Sequence, residues 1–175
     1  MTLRLIVMGV SGCGKSTLSA ALADRLGLEP VDGDDLHLPA SVAKMSAGIA
    51  LEDADRWPWL DRIGAYLAAS PSIGRVVACS ALRRAYRDRI RAQAGAVHFV
   101  FLDGDFDLIS HRMARRAGHY MQPQMLESQF RTLERPTADE ADVITLPITE
   151  PVSRLVDEAM AALPVHPSSS ASIQI

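Results

Sequence analysis

Apolar residues in this chain gather in five short runs, and a stretch with helical spacing follows each. The runs are Leu3–Met8, a weak one around Pro30 and Val31, Arg75–Cys79, Val97–Leu102 and Asp142–Leu146. Strand-length runs alternating with helix-length segments predict a parallel sheet covered by helices on both faces. Helices are expected from Ser16 to Leu26 with Gly27 as the stop, and from Arg83 to Ala94 with Gly95 as the stop. Two more are expected from Asp105, as N-cap, to about Arg116, and from about Pro151 to Leu163. Two segments are too long for plain crossovers. Residues 35–74 read as a short helix near Ala40–Met45, a loop at Gly48, and a helix from Asp53–Pro58 to Ala69. Residues 117–133 read as a loop and then a helix from Gln124 to Leu133.

The junction after the first run changes the picture most. It reads Gly9-Val-Ser-Gly-Cys-Gly-Lys-Ser16, then Thr17. A G-x-x-x-x-G-K-S motif between a strand and a helix is a phosphate-binding loop. Glycines let successive backbone N–H groups turn inward, and the next helix aims its N-terminus at the same spot. Lys15 supplies an ammonium for the β- and γ-phosphates, and the Ser16 hydroxyl can ligate Mg²⁺. The chain has only two lysines, Lys15 and Lys44, so a scarce residue stands where the chemistry needs it. Gly9, Val10, Ser11, Gly12, Cys13, Gly14, Lys15, Ser16 and Thr17 are therefore the expected ATP-binding loop. The fold class that follows is α/β, a three-layer α/β/α P-loop NTPase with a five-stranded parallel sheet. Residues 35–74 then become an acceptor-binding insertion, and about 112–135 a mobile lid, both at the carboxyl ends of the strands. Residues 1–163 form a single domain in this reading, and the Ser-rich stretch 164–175 is expected to be a disordered tail.

Composition narrows the partners. A net charge of −3 and a pI near 5.9 argue against a nucleic-acid or membrane-surface role. Cys13 and Cys79 are too few for a disulfide framework and lack metal-site spacing, which suits a reducing cytoplasm. No signal peptide or spanning segment is expected, since the first strand begins at Leu3. A guanine-nucleotide switch normally needs Asn-Lys-x-Asp, and this chain has no asparagine.

The remaining chemistry gathers around a few polar groups. Asp32-Gly33-Asp34 ends the second run, on a strand expected to lie beside the first. On an extended chain the two carboxylates would project to one side. One could hold Mg²⁺ through water (Asp32), and the other could orient an attacking hydroxyl (Asp34). The third run ends in Ser80 without a Walker-B aspartate, which returns the metal duty to this pair. Asp103, at the end of the fourth run, reads as the cap of the following helix. His37 is placed to bind a sugar and Ser80 to touch a substrate hydroxyl or the γ-phosphate. An arginine fork suits a planar carboxylate, which makes Arg56 a candidate for one. Trp57 and Trp59 read as packing residues. The arginines from Arg83 to Arg91 read mostly as a solvated helix face. Arg112 and Arg116, four apart on one helix face, could close over a transferring phosphoryl group as lid arginines.

With these motifs in place, the chain resembles the gluconokinases, in the shikimate-kinase and nucleoside-monophosphate-kinase-like branch of P-loop proteins. The likeness rests on Met8–Thr17, Asp32-Gly-Asp34 with His37, Lys44-Met45 with Gly48, Asp55-Arg56 with Pro58-Trp-Leu60, and Cys79–Leu82 with Tyr86-Arg87. It continues through Gly118-His119, Gln124–Leu126, Gln129-Phe130 and Leu133-Glu134. The resemblance implies ATP-dependent phosphorylation of D-gluconate at its C6 hydroxyl to 6-phospho-D-gluconate, with Mg²⁺, in a homodimer. By the same resemblance Lys15, Asp34, Arg112 and Arg116 are the catalytic set, with Arg112 also on ATP. Asp34, His37, Arg56, Ser80 and His119 are its acceptor-binding set. Another kinase of the same scaffold, acting on shikimate or a nucleoside monophosphate, is the nearest alternative.

Overall fold

The computed structural model describes residues 2–115 and 123–164. Arg116, the loop carrying Gly118 and His119, and the expected tail from 165 onward lie outside the described residues. The strands are β1 (Arg4–Met8), β2 (Glu29–Asp32), β3 (Arg75–Ala78), β4 (His98–Asp103) and β5 (Val143–Pro147). The helices are α1 (Lys15–Leu26), α2 (Pro39–Ser46), α3 (Asp53–Ala68), α4 (Arg84–Ala94), α5 (Phe106–Ala114), α6 (Pro123–Thr132) and α7 (Val152–Ala162). A 3₁₀ turn, Gly33–Leu36, follows β2.

All pairings in the sheet are parallel, in the order β2-β3-β1-β4-β5. This corrects one expectation: β2 does not lie beside β1, because β3 separates them. The residues explain the order. In β1 and β3, Leu5, Ile6, Val7, Val76 and Val77 are fully buried, as interior strands must be. β2 is Glu-Pro-Val-Asp, mostly exposed, and Pro30 has no N–H to give a second neighbour, so it belongs at an edge. Asp32 is level with Ala78 and Ala78 with Val7, so the carboxyl ends of β2, β3 and β1 still open onto the phosphate loop.

Alternate residues of each strand feed two cores, one on each face of the sheet. Leu5, Val7, Val76, Val100 and Leu102 pack with Leu18 and Leu22 of α1, Ile109 of α5 and Leu155 and Ala159 of α7. Ile6, Met8, Val77, Phe99 and Phe101 pack with Leu60, Ile63 and Leu67 of α3 and with Tyr86 and Ile90 of α4. Three layers result, as the sequence predicted. No helix among the described residues is long and apolar enough to cross a membrane.

The arginine run in α4 is the second correction. Arg87 is 1% exposed and makes a fork with Glu140, Nε to Oε2 at 2.7 Å and Nη2 to Oε1 at 2.6 Å. Its Nη1 donates to the carbonyls of Ala81, Leu82 and Glu134. Arg91 pairs with Glu140, Asp142 and Asp88. A run read as a solvated face thus contains the buried strut that ties the β3–α4 loop to the chain after α6. Ala81 in that loop holds φ +43°, a left-handed backbone that an alanine takes only when its surroundings impose it.

Candidate active site

The phosphate loop leaves β1 and enters α1, whose first turn has no side-chain cap, so its N–H groups are available to an anion. Gly14 precedes the helix at φ +105°, which a residue with a Cβ would adopt only under strain. Lys15 Nζ donates to Val10 O at 2.9 Å, which holds the ammonium across its own loop. Ser16 and Thr17 are exposed, whereas Gly9, Val10 and Cys13 are buried beneath the loop. Burial pushes the Cys13 thiol up, against the pull of the Lys15 and Arg112 charges. That agrees with a filler rather than a nucleophile.

The acidic end of β2 differs locally from the extended pair that was expected. Asp34 sits in the 3₁₀ turn, and Asp32 caps that turn by accepting from Asp34 N–H at 3.0 Å. The cap uses Oδ1 of Asp32, and both residues still line the same cleft. Gly33 presses on β3, where a Cβ would lie 2.6 Å from the Ala78 carbonyl oxygen. Trp59, on α3, donates its indole N–H to Gly33 O at 2.7 Å and stacks flat on His37, with centroids 4.2 Å apart and a 13° tilt. Trp59 is the packing residue that was expected, and it also orients the acidic turn.

His37 is buried, and burial lowers its pKa, so at neutral pH the ring is uncharged. Its Nε2 lies 3.7 Å from Asp34 Oδ1, and among the described residues its Nδ1 has no hydrogen-bond partner. Asp34 is raised above the usual carboxylate range, first by loss of surrounding water and next by the Asp32 charge. Its side chain is 83% accessible, so surrounding solvent screens that shift.

One cavity of about 390 Å³ brings Lys15, Ser16, Asp32, Asp34, Ser80 and Gln129 together, with Ser11, Gly12, Gly14 and Thr17 on its rim. Gln129, on α6, was not singled out as a site residue. Its Oε1 accepts from Ser11 N–H at 2.6 Å, so α6 holds the phosphate loop. A 118-residue separation gives no local signal for such a contact.

Neither His37 nor Arg56 is among the residues that line this cavity; Arg56 is half-buried on α3. Among the described residues it donates no hydrogen bond, and its nearest carboxylate oxygen is Asp53 Oδ1 at 3.6 Å. Lys44 reaches from α2 to both oxygens of Asp55, at 2.7 and 2.9 Å. On the other flank Arg112 donates to Ile148 O, in the loop after β5. α5 packs on the phosphate loop so closely that a Cβ at Gly12 would meet Met113 at 2.6 Å. Asp103 does not cap α5, as had been expected; it pairs with Arg135 at 3.1 Å, and Asp105 caps the helix by accepting from Leu108 N–H at 2.8 Å. The cap goes to Asp105 because Asp103 is still in β4, where Ile148 N–H uses its carbonyl.

A family model described as an AAA domain matches residues 5–136. The thermosensitive gluconokinase of Escherichia coli (strain K12) is 42% identical over 160 residues, spanning 90% of this chain and 86% of that protein. The chain belongs to the gluconokinase family. A gluconokinase of Gluconobacter oxydans (strain 621H) is 46% identical over 138 residues, 78% of either chain. The crystal structure of a gluconokinase from Sinorhizobium meliloti 1021 superposes with a TM-score of 0.82 at 44% identity, covering 91% of this chain and 90% of that one. The family likeness thus runs through the phosphate loop, the acidic turn and the insertion that holds Arg56.

Proposed function

We infer that this chain is a gluconokinase that transfers the γ-phosphoryl group of ATP to the C6 hydroxyl of D-gluconate, giving 6-phospho-D-gluconate and ADP. The observation that carries the reading is one cavity lined both by the phosphate loop and by Asp34. Lys15 and the loop N–H groups, Gly9 to Thr17, hold the triphosphate. Asp34 accepts the hydroxyl proton as O6 bonds to the γ-phosphorus and the bond to the β,γ-bridging oxygen breaks, releasing ADP. Its raised pKa makes it a better proton acceptor than an ordinary aspartate. Neutral His37 and Ser80 serve the polyol, and Arg56 the carboxylate. Arg112, with Arg116 and His119 beyond the described residues, would close from the lid side and exclude water as a competing acceptor.

Mg²⁺ fits the donors at this site, which are hard oxygens: the Ser16 hydroxyl and, through water, the free oxygen of Asp32. Such an ion keeps several waters and needs few protein ligands. When bound it would neutralise phosphate charge. A homodimer belongs to this reading through the resemblance, and a cytoplasmic location through the sparse cysteines.

The test is a coupled assay of ADP release by the purified chain with D-gluconate, shikimate, glycerate and AMP. Gluconate is expected to give turnover on the order of 1–100 s⁻¹ and the others little. Comparable or faster turnover with another acceptor would overturn the assignment.

A further inference from the structure

Where α3 begins, two arginines from different elements share one carboxylate. Asp53, in the first turn of α3, accepts from Arg83 Nη1 at 2.9 Å and from the Tyr86 hydroxyl, and lies 3.6 Å from Arg56 Nη1. Both guanidiniums stand over the same Tyr86 ring, 5.8 Å (Arg56) and 5.7 Å (Arg83) from its centre. Asp55, the next carboxylate along α3, is engaged by Lys44. The corner therefore carries two positive charges against one negative. The side chains are 30% (Arg56) and 41% (Arg83) accessible, partly desolvated yet reachable. Most of their donors point at no acceptor among the described residues.

The placement gives that surplus charge a use. Arg83 is the N-cap of α4, three residues after Ser80, which lines the cavity. Arg56 precedes Trp59 by one helical turn, and Trp59 lies on His37, which in turn faces Asp34. Asp34, His37, Trp59 and Arg56 thus follow one another as neighbours from the reacting carboxylate toward the arginine pair. Gluconate carries its C6 hydroxyl and its carboxylate at opposite ends of one chain.

We propose that Arg83 binds the acceptor carboxylate jointly with Arg56, and that Asp53 and Tyr86 position the two guanidiniums for it. This rests on the gluconokinase reading and deepens it. The unbalanced charge makes the site select an acid over the neutral polyol of the same length. The competing view is that Arg83 only ties α4 to α3 through Asp53.

Steady-state kinetics with D-gluconate and with D-glucitol, which has a CH₂OH in place of the carboxylate, separate the two. For Arg83→Gln, loss of a charge-assisted contact is expected to raise KM for gluconate roughly tenfold to a hundredfold. Glucitol kinetics should change less than about threefold, so the preference for the acid collapses toward that of a neutral site. Arg83→Lys keeps the charge and loses the fork; it should keep most of the preference with an intermediate KM. A wild-type acid preference in Arg83→Gln overturns the proposal, whatever its melting temperature. If that variant does not fold, Arg83→Lys decides, and a wild-type KM for gluconate in it overturns the proposal. Failure of the gluconokinase reading looks different: the unaltered chain would then prefer another acceptor.

Discussion

Replacing Arg87 with methionine tests whether the buried strut, rather than the apolar core alone, holds the β3–α4 loop. The methionine fills most of the space and removes five hydrogen bonds, two to Glu140 and three to carbonyls. Glu140, 2% accessible at its side chain, would keep Arg91 as a partner at 2.8 Å. Breaking a buried pair from one side costs about 3–5 kcal/mol, and the surviving Arg91 contact places this case near the lower end, about 3 kcal/mol. At roughly 2–4 °C per kcal/mol for a chain of this size, the melting temperature should fall by about 6–12 °C.

A pH series adds a signature. The Arg87 and Arg91 hydrogen bonds hold Glu140 down at about 2, below its ordinary 4.5. A depressed carboxylate contributes stability that is present above about 4.5 and lost as pH falls toward about 2. The wild-type advantage over Arg87→Met should therefore shrink across that window. Urea unfolding of the single variant and of Arg87→Met/Glu140→Met is the assay. The double variant removes the stranded carboxylate and should recover much of the loss. A single-variant loss below about 1 kcal/mol, or a double variant less stable than the single, would refute the reasoning.

Two further outcomes bear on the site. Asp34→Asn should lower kcat on the order of 10²–10⁴-fold with KM for ATP little changed, and a turnover near wild type would remove Asp34 from the reacting hydroxyl. Because Asp34 is raised and acts unprotonated, wild-type kcat/KM should fall on the acid side at a pH above that of an ordinary aspartate; stopped assays from pH 4 upward would locate that limb. Trp59→Phe keeps the stack on His37 and strands Gly33 O, at a cost of about 1–3 kcal/mol in thermal unfolding together with a raised KM for gluconate. Unaltered KM would show that the acidic turn holds its shape without the indole.

The strands, the helices and the phosphate loop were legible because each is written locally, as an apolar period, a glycine stop or a motif. What escaped depended on partners far along the chain. Arg87 looks like its neighbours until Glu140 arrives 53 residues later to neutralise it. The position of β2 follows from competition for the seat beside β1, which Val76 and Val77 win over Pro30 by burial and by hydrogen bonding. The acidic pair was found, but its geometry was not, since Asp32 turns the chain at Asp34 rather than letting it run on extended. Trp59 was recognised as packing, while its hydrogen bond to Gly33 required knowing that α3 crosses that turn.

The Gln129 contact gives the phosphate loop an internal competitor. An anion that uses the Ser11 N–H must first displace the amide oxygen, so the apparent dissociation constant is the intrinsic one divided by the fraction of molecules with that N–H released. The displaced side chain belongs to α6, which lies within residues 112–135, the expected lid. Nucleotide arrival would then be reported directly to α6, by loss of one hydrogen bond. Weakening that latch would tighten nucleotide binding while uncoupling it from α6.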